Sequence, residues 1–156
     1  MTEQKMTNVA VKDTHTSNKN VLSHLLPVGY KLELHEPTRT ASVLSITSLS
    51  LLKQQQFTKN EWSMFQTLLS FYPHYAPHEA LLASVTLLSI DDCRRHLHKA
   101  QQAGPQQLKN ELKPVYRALV GTRTKLRCLS PQLKIALVRN LGYMLTTVVG
   151  ESSYSV

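Results

Sequence analysis

Residues 114–147 read PVYRALVGTRTKLRCLSPQLKIALVRNLGYMLTT. Two different periodicities follow one another within them. Val115, Leu119, Thr122 and Leu126 are spaced four, three and four residues apart, which lines one side of a helix. Pro114 suits a first helical turn, where its missing N–H costs nothing, and Ser130-Pro131 stops the run. Beyond it Leu133, Ile135 and Leu137 alternate, Asn140 and Gly142 supply turn chemistry, and Tyr143, Leu145 and Thr147 alternate again. The spacing therefore predicts a helix over about 114–128 and a terminal β-hairpin over about 133–147.

With the 115/119/122/126 side buried, the outward positions are Tyr116, Arg117, Val120, Gly121, Arg123, Thr124 and Arg127. They hold three arginines, a phenol, a hydroxyl and a glycine, and no carboxylate. Such a face donates hydrogen bonds and permits close approach, which suits a nucleic-acid duplex. A helix followed by a hairpin is the working end of a winged helix-turn-helix, with the helix in a major groove and the hairpin on the adjacent backbone or minor groove.

Upstream, Tyr30, Leu32 and Leu34 alternate with Lys31, Glu33 and His35, the period of a half-buried strand. Pro37 and Arg39 fit a turn, and residues 43–46 and 49–52 fit two further short strands of an antiparallel sheet. Thr58 and Glu61 form a capping box, with Phe57 and Trp62 as its hydrophobic staple, and the helix they open ends at Pro73. Pro77 reads as a first-turn proline of a short second helix carrying Leu81, Leu82 and Val85. Ser89 and Asp92 cap a basic helix over about 90–102, which Gly104-Pro105 breaks. The segment 106–110 is ambiguous. The expected class is α+β: an N-terminal antiparallel sheet, three core helices plus an inserted one, and a hairpin. Residues 27–149 form the expected domain, 1–26 a disordered tail and 150–156 a frayed end.

The chain has 156 residues, 42% of them apolar and 18% charged, with a mean hydropathy of −0.22. That suffices for one cored domain. No run approaches the ~18 apolar residues of a membrane span, and the first twenty residues lack the apolar run of a signal peptide. Cys93 and Cys128 are too few for a disulfide framework. These features predict a cytoplasmic protein that does not engage a membrane. The net charge is +8, distributed unevenly: residues 93–139 hold eleven basic residues against Glu111 alone. A basic half of this kind predicts a polyanionic partner.

At several places the chain resembles the OmpR/PhoB-type winged-helix effector domain. The stretch 57–65, FTKNEWSMF, is similar to that family's first helix opening, and 72–82, YPHYAPHEALL, to its second helix entry. Residues 119–126, LVGTRTKL, resemble the end of its recognition helix. Residues 138–145, VRNLGYML, resemble its wing, with Asn140 where a glycine is usual. The likeness covers roughly 28–148 and includes no receiver domain, so it carries no phosphorylation switch. It implies sequence-specific binding of double-stranded DNA and transcription regulation by head-to-tail protomers on direct repeats, with RNA polymerase as a further partner. The resemblance implies a phosphate contact from Lys113, a recognition-helix arginine in Arg123, and wing contacts from Arg139 and Tyr143. The helical-face argument adds Tyr116, Arg117, Thr124 and Arg127.

Other chemistries find little support. His96 and His98 point about 200° apart on a helix, and Cys93-x-x-His96 alone does not make a four-ligand zinc site. No metal site or cofactor is expected. No catalytic motif or phosphate-cradling glycine loop is present, so no catalytic residue is expected. The competing reading is a protein-interaction adaptor whose basic winged-helix face binds an acidic partner or RNA polymerase. Gly121, Thr122 and the inserted helix motivate it.

Overall fold

The computed structural model describes residues 22 and 24–147. Most of the tail expected over 1–26, and the frayed end expected over 150–156, lie outside the described residues. Where the tail is described, it differs from expectation: Leu25 is 1% exposed and joins the hydrophobic core beside Leu26.

Strands β1 (Tyr30–His35), β2 (Thr40–Ser45) and β3 (Leu51–Gln56) form an antiparallel meander in that order. Leu32 faces Val43 across the first ladder, and both are buried. The third strand begins later than the leucine pattern predicts because Leu49 occupies the turn at φ 55. Its Gln54-Gln55-Gln56 end carries no hydrophobic alternation, and its pairing with β2 is a backbone property.

Helix α1 (Lys59–Phe71) starts as predicted. The Glu61 amide donates to Thr58 Oγ1 at 3.3 Å, and the Thr58 amide donates to the Glu61 carboxylate at 2.8 Å. Phe57 and Trp62 meet with ring centroids 5.7 Å apart, forming the staple. Ala76–Pro77 then forms a two-residue strand, β4, before α2 (His78–Val85). Pro77 is thus not in a first turn. It caps α2 from outside while pairing with Gly142.

Between α2 and the 114–128 helix the chain forms two helices rather than one. Ser89 caps α3 (Ile90–Ala103), accepting from the Asp92 amide at 3.1 Å. Gly104, at φ 121, turns the chain into α4 (Pro105–Glu111) across the ambiguous segment. Helix α5 (Lys113–Leu129) follows, then β5 (Leu133–Val138) and β6 (Gly142–Thr147), which complete a second antiparallel sheet in the order β4-β6-β5. The molecule is α+β, with five helices and two small sheets among the described residues. No described helix is long and apolar enough to cross a membrane.

Helix α5 fills the centre. Val115, Leu119, Thr122 and Leu126 are all buried, joined by Ala118 and Leu129. Thr122 keeps its place among apolar neighbours because its hydroxyl donates to the Ala118 carbonyl at 2.7 Å. On the adjoining side, Lys125 pairs with the Glu61 carboxylate, and a Cβ on Gly121 would collide with that same carboxylate. The glycine is therefore the point where α1 and α5 approach. Gly142 plays the matching part in the second sheet, where a Cβ would strike the Ala76 carbonyl.

Two outcomes follow. Gly142→Ala should lose about 1–3 kcal/mol in urea unfolding, because rigid backbone opposes the new methyl; a loss below about 0.5 kcal/mol contradicts the close approach. The second concerns Glu61. Burial pushes its carboxyl up, but Lys125 and the two Thr58 bonds outweigh burial and hold it below the ordinary 4.5. Its contribution is therefore present above about pH 4.5 and lost as pH falls through the lowered folded value. Lys125→Met should cost about 1.5–3 kcal/mol at pH 7 and flatten the acid loss; an unchanged pH profile would count against the pair.

Candidate nucleic-acid interface

Successive residues of a helix turn by about 100°, so the outward arc of α5 divides into three strips. One strip, Gly121 and Lys125, is taken by Glu61. The opposite strip, Tyr116 and Arg123, is half-buried and leans toward the hairpin. Between them Lys113, Arg117, Val120, Thr124 and Arg127 are all exposed. They are spaced four, three, four and three residues apart, a single line about 21 Å long at ~1.5 Å per residue. The Thr124 hydroxyl donates to the Val120 carbonyl at 3.0 Å, leaving its oxygen available as an acceptor. Val120, at 67% exposure, is the one large apolar side chain in this line.

Arg123 lies to the side of that line. Its guanidinium donates to the Ile135 carbonyl of β5 at 3.4 Å and sits 5.6 Å above the Tyr143 ring. Tyr143, expected on the wing surface, is instead 8% exposed. Its ring packs edge-on against His78 with centroids 5.9 Å apart. Position 143 pairs with Ala76 of β4, which turns its side chain inward. Burial raises the phenol's pKa, nearby Tyr116 adds to this and Arg123 opposes it. Burial also pushes His78 below its ordinary value, with Glu79 partly offsetting. The Tyr143 contact implied by the resemblance is thus corrected to an internal one, and Arg123 becomes a tie between α5 and the hairpin. Arg139 is exposed in the hairpin turn, which Asn140 closes at φ 65, a conformation asparagine tolerates.

The charge of the basic half is partly consumed internally. Arg94 pairs with Asp91 at 3.0 Å and Glu79 at 3.6 Å, Arg95 pairs with Asp92, and Lys125 pairs with Glu61. The other eight basic residues of 93–139 have no ion-pair partner among the described residues, and five of the eight (Lys113, Arg117, Arg127, Lys134, Arg139) are exposed on α5 and the hairpin. Lys134 is absent from the helical-face argument because it belongs to a strand. The alternation that buries Leu133 and Ile135 is the signal that places it outward.

Cys93 turns inward, its thiol raised first by burial, while His96, one turn along α3, is exposed. No group of three potential metal ligands occurs among the described residues. No family model, curated protein or solved structure matches this chain.

Arg123→Ala should lower stability by about 1 kcal/mol, since it removes both a carbonyl bond and a cation–π contact. Arg117→Ala should stay within about 0.5 kcal/mol of the parent. Equal effects of the two in urea unfolding would contradict the division of α5 into a tie and a free line.

Proposed function

We propose that this protein is a winged-helix, sequence-specific binder of double-stranded DNA that regulates transcription, with α5 in the major groove and the hairpin on the adjacent backbone. One observation carries the reading: the exposed line Lys113–Arg117–Val120–Thr124–Arg127 holds three cations and no carboxylate, and runs directly into a hairpin whose turn bears Arg139. Arg117 and Thr124 are the side chains set to meet base edges. Arginine reads guanine with two parallel donors, and Val120 between them supplies an apolar surface for a thymine methyl. Lys113 and Arg139, at opposite ends, meet phosphates and fix register. The motifs at 57–65, 119–126 and 138–145 that resemble the OmpR/PhoB-type effector domain support the same reading.

The test is fluorescence anisotropy with duplexes of about 30 bp, selected from a random pool and long enough for two half-sites one turn apart. A preference of ~10³ or more over random DNA at physiological salt is expected. Arg117→Ala should then cost about 1–3 kcal/mol on the selected sequence and far less on random DNA. Weak, sequence-blind binding of roughly 10⁻⁴–10⁻⁶ M that collapses with salt would overturn the reading and favour the adaptor.

A further inference from the structure

The last turns of α5 and the strand β5 enclose a groove of about 440 Å³. Buried Leu126, Leu133 and Ile135 form its floor. Arg123, Arg127 and Lys134 stand around it, and none of its lining residues is acidic. The three cations come from two elements that share no sequence periodicity, and only the fold brings them together. None has an ion-pair partner among the described residues.

Three physical features favour an anion at this groove. The apolar floor limits local water, so a charge at the groove is screened less than on open surface. Arg123 is already fixed by the Ile135 carbonyl and the Tyr143 ring, so binding costs little of its side-chain freedom. Arginine's planar fork also matches two phosphate oxygens, with a lysine ammonium as the complementary point charge. Strand β5 is an edge strand of its sheet, leaving the groove open along one side for a continuous chain to pass.

We infer that this groove takes a phosphodiester of the duplex backbone, gripped by Arg127 and Lys134 with Arg123 behind them. The inference rests on the DNA-binding reading above and adds a contact that is blind to sequence. It assigns Arg127 to the backbone and makes Lys134 a binding residue. It also confines base contact on α5 to the stretch before the groove, Arg117 to Thr124. One strand of the duplex is then pinned at the end of α5 and at the base of the hairpin.

The test uses the full chain with Arg127→Gln and Lys134→Gln, and with Lys99→Gln on the exposed side of α3 as an equal charge change away from the groove. Affinity is measured by anisotropy over a salt series on selected and on random duplexes. Each groove variant should flatten the slope of log K against log salt by about 0.9, equally on both DNAs. Lys99→Gln should leave the slope unchanged. Unchanged slopes in both groove variants, or a loss confined to the selected sequence, would overturn the inference while leaving the DNA-binding reading intact. Equal wild-type affinity for selected and random DNA would instead remove the specific-regulator reading, and the slopes on random DNA would still decide the groove. If wild type binds no duplex, titration with inorganic phosphate decides. Shifts of the Gln132–Ile135 amides in NMR spectra that disappear in Lys134→Gln support an anion site, and their absence overturns it.

Discussion

One carboxylate governs the geometry of this molecule. Glu61 accepts the Thr58 amide to close the start of α1, pairs with Lys125 of α5, and rests where Gly121 leaves room. A carboxylate on a side chain only 10% exposed is tolerable only when its oxygens are satisfied. Once they are, the side of α5 bearing residues 121 and 125 has to face α1. The apolar side then falls on the core, and the line from Lys113 to Arg127 falls in solvent. The rotation of the helix about its own axis is thus fixed from a residue 64 positions upstream.

The second sheet fixes the opposite flank. Gly142 allows β4 to pair with β6, and that pairing turns Tyr143 inward between His78 and Arg123. Arg123 is drawn off the exposed line and becomes part of the joint between helix and hairpin. The joint lies beside the groove that Arg127 and Lys134 also line, so the contacts that hold Arg123 to the hairpin hold it at that groove as well. Charge is divided by the same logic. Arg94, Arg95 and Lys125 are spent on carboxylates within reach, and six of the eight basic residues of 93–139 left without an ion-pair partner among the described residues lie on α5 and the hairpin.

Much of the architecture was legible locally. The Thr58–Glu61 cap, the Phe57–Trp62 staple, the Ser89 cap and the buried side of α5 are all set by spacings of three to five residues, where neighbours in sequence are neighbours in space. The hairpin was legible for the same reason. The third strand was displaced because Gln54–Gln56 carries no apolar alternation. Helix α4 was hidden because its seven residues include no buried one. Pro77 was misplaced because its partner, Gly142, lies 65 residues away. Of the candidate site, Arg117, Thr124 and Arg127 appear on the surface as the helical face predicted, Lys113 and Arg139, which the resemblance implied, are exposed as well, and Arg123 and Tyr143 turn toward each other.

The sequence by itself determined the order and type of the main elements, the buried side of α5 and the concentration of positive charge in the second half. Those properties depend on periodicity, capping and composition, which act within a few residues. Only the tertiary structure decided which cations remain free, why Gly121 and Gly142 are glycines, and that Lys134 stands beside Arg127. Glu61 against Gly121 and Lys125, and Ala76 against Gly142, are contacts between elements far apart in the chain, and Lys134 meets Arg127 only because the turn after α5 folds β5 back beside it. Whether a charge is neutralised, or a Cβ admitted, is settled by the group that packing brings against it.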